Sequence, residues 1–159
     1  MDPISPAPAF AADMMLGKLA RWLRVLGYDV LYLNPVEDSD LIGIARRTSR
    51  ILLTRDTRLV KRRGVPDFFL VAKNDPREQL AQVIRRYPRR SGRFLSRCIC
   101  CNTPLEELVK EAIESEVPDY IYHSETHFGR CPDCRRVFWR GSHYRNMRKR
   151  CLEYAEKGK

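Results

Sequence analysis

The stretch PAFAADMMLGKLARWLRVLGYDVLYL, residues 8–33, decides the fold. It opens with a short apolar run that stops at Asp13, changes period through residues 14–27, and closes on a second run of valine, leucine and tyrosine. In the middle, Leu16, Leu19, Ala20, Leu23 and Leu26 recur at the three- and four-residue spacing of one helix face, and Gly27 stands where a helix is ended by a left-handed residue. A strand, a helix and a strand in so short a span predict a crossover unit, two parallel strands joined by a helix that lies on their sheet.

The alternation continues outward from there. DLIGIARR reads as a helix behind the capping-rich EDSD, RILLT as a strand, TRLVKRR as a short helix, DFFLV as a strand, and PREQLAQVIRR as a helix with Pro76 in its first turn. Near-continuous apolar strands separated by helices imply a parallel sheet buried on both faces, hence an α/β sandwich. YPRRSGRFLSR interrupts this pattern, so an α/β domain is expected over residues 9–90, a linker over 91–97 and a small C-terminal unit over 98–151. Inside that unit, EELVKEAIESEVPD is expected to be an amphipathic helix with Leu108, Ala112 and Ile113 inward, and no chemistry is assigned to it.

A formal net charge of +10 on 159 residues points to a polyanionic partner, because clustered Lys and Arg gain free energy by displacing counterions from phosphates. No run approaches the roughly 18–20 apolar residues that a membrane helix requires. The leader MDPISPAPAF lacks the basic and apolar regions of a secretory signal and reads as a flexible tail or the remnant of a longer chain. The thiols are therefore expected in a reducing, cytoplasmic setting, where CxxC pairs are more often metal or redox sites than disulfides.

Two sets of residues carry chemistry. In an open parallel sheet, ligands bind beyond the carboxyl ends of the strands. Asp13 ends the first strand, Thr54 and Asp56 follow the third, and Asp38 and Asp40 open the helix after the second. Carboxylates gathered on one edge repel unless a cation lies between them, and hard oxygen ligands select Mg²⁺ or Mn²⁺. An acidic metal site in a basic chain suggests a nuclease, in which the cation activates a water and offsets charge on a scissile phosphate. The alternative is that Asp38, Asp40 and Asp56 merely cap helices, with Asp29, Asp67 and Asp75 as turn or capping residues.

The second set is the cysteines. Cys98 with Cys101 and Cys131 with Cys134 form two CxxC knuckles, which match a tetrahedral structural zinc site; an iron–sulfur cluster or a redox dithiol is the alternative. Cys100 offers a competing spacing with Cys98, and Cys151 is expected to be a buried or idle thiol. Behind the second knuckle, RRVFWRGSHYRNMRKR interleaves Phe138, Trp139 and Tyr144 with Arg135, Arg136, Arg140, Arg145 and Arg148, mixing stacking faces with phosphate-binding charge. Phe138 and Trp139 are expected to be partly core, and His143 to face the site or brace the zinc unit. Lys18, Arg21 and Arg24 follow Asp13 along the first helix and are expected either to hold a nucleic-acid backbone or to form a solvated face.

ADMMLGKLARWLRVLGYDV, then ILLTRD, then the CxxC pair with RCPDCRRVFWRGSHY resemble the Mut7-C family of PIN-like ribonuclease domains over about residues 9–150. The resemblance implies a PIN-like three-layer α/β/α fold with a central parallel sheet and a C-terminal zinc ribbon. It also implies a Mg²⁺- or Mn²⁺-dependent endoribonuclease that hydrolyses RNA phosphodiester bonds. Carried onto this chain, the family's acids fall on Asp13, Asp40 and Asp56, with Thr54 beside the last. A fourth acid, frequent in PIN domains, has only Asp75 or Asp67 as candidates here. PIN-like domains often pair, so a homodimer is compatible with the resemblance, although no exposed apolar stripe demands one. The competing readings are a non-catalytic zinc-ribbon adaptor that binds RNA, and a toxin-like PIN nuclease with a cognate inhibitor.

Overall fold

The computed structural model describes residues 8–88 and 94–156. The proposed N-terminal tail falls largely outside these, as do residues 91–93 of the expected linker.

Four short strands, β1 (Ala9–Ala12), β2 (Asp29–Tyr32), β3 (Ile51–Thr54) and β4 (Phe68–Leu70), form one parallel sheet in the order β2-β1-β3-β4. Helices α1 (Gly17–Val25), α2 (Asp38–Arg47) and α3 (Pro76–Arg86) cover it. Successive strand residues point to opposite faces, and the two cores divide accordingly. Phe10, Ala12 and Leu53 pack with Leu16, Leu19, Leu23 and Leu80 on one side, whereas Ala11 and Leu52 pack with Leu41 and Ala45 on the other. The three-layer α/β arrangement with a central parallel sheet thus follows from the apolar runs.

Capping explains the C-terminal end of α1 and the N-terminal end of α3, whereas α2 starts after Glu37 without a side-chain cap. After α1, the Gly27 N–H donates to the Arg24 carbonyl and the Tyr28 N–H to the Leu23 carbonyl, each at 2.9 Å, with Gly27 at φ 84°. This paired closure needs a left-handed residue, which glycine supplies without a Cβ penalty. At the start of α3 the Asp75 carboxylate accepts from the Arg77 N–H at 2.8 Å, and Pro76 occupies the first helical position. TRLVKRR contracts to a single 3₁₀ turn, Leu59–Lys61, with only Leu59 buried.

In the C-terminal unit, β5 (Glu106–Leu108), β6 (Phe128–Arg130) and β7 (Val137–Trp139) form an antiparallel sheet, accompanied by α4 (Asp119–Ser124) and α5 (Ser142–Glu156). The helix expected over residues 106–119 is not present. That segment is β5, a 3₁₀ turn at Lys110–Ile113 and the start of α4, with Ile113 buried, Leu108 half-buried and Ala112 exposed. Ile113, Val117 and Ile121 are buried at four-residue spacing, as on a helix face, but Pro118 disfavours a helical Val117 and breaks the run.

The basic C-terminal segment does not stand apart from the α/β unit. Helix α5 returns onto α3, and its Met147 and Cys151 join the core that holds Phe10 and Leu19. Arg77 lies 6.0 Å from the centre of the Tyr154 ring, and Arg148 lies 4.4 Å from that of Phe94. Among the described residues, no helix is long and apolar enough to cross a membrane.

Candidate active site and metal centre

Strand β1 has β2 on one side and β3 on the other, so chain connections leave β1 and β3 in opposite directions; ligands of such sheets sit at that switch, beyond the carboxyl ends. Asp13 follows β1 immediately there and Thr54 ends β3 beside it. The Thr54 hydroxyl, fully buried, donates to Asp13 Oδ2 at 2.7 Å and accepts from the Asp56 N–H at 3.0 Å. Asp13 is only 7% exposed, and its N–H donates to the Leu53 carbonyl at 2.9 Å, which fixes its backbone across the switch. One threonine therefore sets the position of two acids.

The remaining candidates differ in what already engages them. Asp56 Oδ1 accepts from the Arg58 N–H at 2.7 Å, the local turn expected of an Asp in this position. Asp38 and Asp40 lie in the first turn of α2, whose N-terminal dipole favours them, and Asp38 pairs with Arg62 at 3.0 Å. Among the described residues Asp13, Asp40 and Asp56 form no ion pair. Their oxygens are not all within 4.8 Å of one another, a separation that only the four cysteines meet among the described residues. Of the two candidates for a fourth acid, Asp75 caps α3, and Asp67 precedes β4 and so lies at the opposite edge of the sheet.

Cys98, Cys101, Cys131 and Cys134 bring their sulfurs within 4.8 Å of one another, with Cys98 and Cys131 fully buried. The Cys101 N–H points at the Cys98 sulfur and the Cys134 N–H at that of Cys131, at 3.3 and 3.5 Å, which turns each CxxC into a closed loop. Burial pushes the Cys98 thiol up to about 12, whereas the Arg136 backbone N–H holds Cys134 down at about 7. Four soft sulfurs so placed can hold a structural metal such as zinc, whose charge would draw all four into the thiolate form. Cys100 is exposed and takes a hydrogen bond from the Arg136 guanidinium instead of joining the cluster. Cys151 is buried among apolar side chains, and that burial raises its thiol to about 11.

The cationic residues do not form one surface. Lys18 and Arg21 are exposed on α1, but Arg24 is 3% exposed and is no part of a solvated or RNA-facing row. Its Nε donates to the Val30 carbonyl at 2.9 Å, and its Nη1 to the carbonyls of Ile99 and Cys100 at 2.9 and 2.8 Å. Desolvation pulls this guanidinium below its ordinary value while the nearby cysteine sulfurs pull the other way.

Asn102 completes the joint. Its Oδ1 accepts from the Val30 N–H at 2.9 Å, and its Nδ2 donates at 2.7 Å to Asp29, which also binds Arg50 and Arg97. Burial disfavours the charged Asp29, but hydrogen bonds from Arg50 and Asn102 outweigh it and hold the carboxyl below its usual range. Asp29 is thus a strand residue that binds the first cysteine knuckle to the sheet, not a turn residue.

Asn102 escaped the sequence reading, and Arg24 was read there only as a backbone-holding or solvated residue. Arg24 had a signal: it continues the buried stripe of Leu16, Ala20 and Leu23, whereas Lys18 and Arg21 do not. Farther on, Arg135 and Arg136 are exposed beside the second knuckle, with Arg135 at φ 63°. Arg145 is engaged by Glu125 at 3.4 Å and by the Arg140 carbonyl at 2.7 Å. Trp139 and Val137 pack on the core of the small sheet, while Phe138, between them, lines a cavity of about 560 Å³ with Phe94, His127 and Arg140.

Residues 8–151 match the family described as the Mut7-C RNAse domain. Comparison with curated proteins and with solved structures returned no match.

Proposed function

Because the chain belongs to the Mut7-C RNAse domain family, we propose that this ribonuclease domain is a PIN-like, Mg²⁺- or Mn²⁺-dependent endoribonuclease that cuts RNA at the carboxyl edge of its sheet. The observation that carries the reading is Asp13: a nearly buried carboxylate at the switch point, with one oxygen held by Thr54 and no cation of the protein to balance it among the described residues. A buried uncompensated charge is costly unless something of opposite sign joins it. Asp13, Asp40 and Asp56 offer the hard oxygens that suit Mg²⁺ or Mn²⁺. When bound, such a cation supplies Lewis-acid polarisation of the phosphate and acidifies a water for in-line attack.

The chain's own residues do the rest. Thr54 orients the Asp13 carboxylate and anchors the turn that carries Asp56, so the acids are placed before substrate arrives. Asp38 and Asp40 extend the acidic edge from α2, where they can accept hydrogen bonds from the attacking water. Lys18 and Arg21, exposed on the helix that begins behind Asp13, are suited to phosphates beside the cut, and Arg135, Arg136, Arg140, Arg145 and Arg148 to the strand farther away. Zinc on Cys98, Cys101, Cys131 and Cys134 has a structural role here, since four thiolates leave no open position for substrate. Reduced thiols of this kind suit the cytoplasm.

The spacing of the acids, with Asp56 and Asp38 engaged by protein groups, favours a second reading, a zinc-stabilised adaptor that binds RNA without cutting it. Incubating a labelled single-stranded RNA with the wild-type and Asp13→Asn proteins, with Mn²⁺ added or withheld, separates the two. Metal-dependent cutting lost in Asp13→Asn supports the nuclease. Salt-sensitive binding without cutting in either protein supports the adaptor.

A further inference from the structure

Helices α1 and α5, both packed against α3, face each other across a cleft of about 700 Å³. Its walls carry Lys18 and Arg21 from α1, Arg77 from α3, and His143 and Arg150 from α5. All five are exposed, and among the described residues no Asp or Glu lines the cleft. Lys18, Arg21 and Arg150 form no ion pair among the described residues either, so their charge is available to a ligand. Trp22 and Tyr154 add flat apolar surface to the same walls.

The cleft has a direction. Lys18 stands in the first turn of the helix that follows Asp13, and Ile99, in the first cysteine knuckle, lies at the other end with Val25. From Lys18 to Val25 the helix runs about 10 Å at its regular rise. An occupant would therefore enter at the acidic edge and leave at the metal centre. Cations in an acid-free groove with interleaved aromatic faces match a phosphate backbone whose bases stack as they pass. A space of this volume takes a ligand of drug-like size, which admits a short run of single strand and excludes a duplex.

We propose that the α1–α5 cleft holds the single-stranded RNA segment next to the cut, gripping its phosphates with Lys18, Arg21, Arg77 and Arg150 and stacking a base on Trp22. This rests on the nuclease reading for the position of the cut, but the binding itself does not require cleavage. His143, whose place was left open by the sequence, belongs to this wall.

The chain has two tryptophans, so Trp139→Phe leaves Trp22 as the one tryptophan, read with excitation beyond the tyrosine band. A short single-stranded oligoribonucleotide, added without Mn²⁺, is expected to quench Trp22. The further double change Arg21→Ala with Arg150→Ala is expected to weaken binding about tenfold or more and to lower the salt slope by about 1.4, since each phosphate contact on a single strand contributes about 0.7. Arg46→Ala with Arg47→Ala, on the opposite face of the sheet, is expected to change neither. Unchanged Trp22 emission at saturating RNA, or wild-type affinity in the Arg21 and Arg150 variant, overturns the proposal. So does equal affinity for an acidic peptide, which would make the partner a protein. A protein that quenches as expected yet cuts nothing with Mn²⁺ overturns the nuclease reading and leaves the cleft standing.

Discussion

Replacing Arg24 by alanine removes a buried guanidinium that joins α1 to β2 and to the first cysteine knuckle through three carbonyl groups at 2.8–2.9 Å. Hydrogen bonds to a charged partner are worth about 1.5–3 kcal/mol each, and they are not additive when one side chain makes all of them. The carbonyls of Val30, Ile99 and Cys100 lose their donor together, so the expected cost is about 3–5 kcal/mol. That is a large part of the roughly 5–15 kcal/mol that holds a typical domain folded. Arg24→Lys keeps the charge but offers one compact ammonium in place of a planar fork, and is expected to recover less than half of the loss.

Urea unfolding of the zinc-loaded protein reads the stability, and zinc release to a colorimetric chelator reads the knuckle. Arg24→Ala should shift the first and accelerate the second, because Ile99 and Cys100 lie between two metal-ligand candidates. An alanine variant within about 1 kcal/mol of wild type, with an unchanged denaturant slope and unchanged zinc release, would refute the argument that Arg24 binds the two units together.

Two further perturbations test the same structure at other points. Asp29 has a folded carboxyl held below its ordinary value, so its contribution is present above the unfolded value of about 3.9 and is lost as pH falls through the lower folded one. Denaturation measured between pH 7 and pH 3 should therefore show Asp29→Asn less stable by about 1–2 kcal/mol near neutrality, with the gap closing under acid; a constant gap would contradict the assignment. Thr54→Val preserves shape while removing the donor to Asp13 and the acceptor for Asp56, so kcat on RNA should fall about tenfold or more with binding affinity retained, and Thr54→Ser should restore it. Equal losses in the serine and valine variants would point to packing as the cause.

The α/β core was legible because its signals are local and agree with one another. Four apolar runs, a glycine after Leu26 and a proline at the head of PREQLAQVIRR each act within a few residues, and the strands and helices form where they indicate. The four cysteines were legible for a similar reason, since two fixed spacings specify the loops that bring the four sulfurs together. What was hidden depends on contacts distant in sequence. The helical stripe signals that Arg24 is buried, but the carbonyls of residues 99 and 100 that meet it are not announced nearby. Helix α5 presents Tyr144, Met147, Cys151 and Tyr154 along one side, yet the surrounding arginines and lysines hide that stripe from a reading of composition. The segment from Glu106 to Asp119 misled through a real four-residue period that Pro118 and strand pairing overrode.

The return of α5 onto α3 bears on synthesis as well as on stability. Phe10 leaves the ribosome well before Met147 and Cys151, which share its core. Closing contacts between such distant parts of a chain is slow compared with forming neighbouring helices, and apolar surface stays open until they close. Until α5 is made, β1 to α3 therefore lack the wall that Met147 and Cys151 complete. A nonsense codon or a proteolytic nick between α3 and α5 would leave that core open instead of giving a smaller working domain.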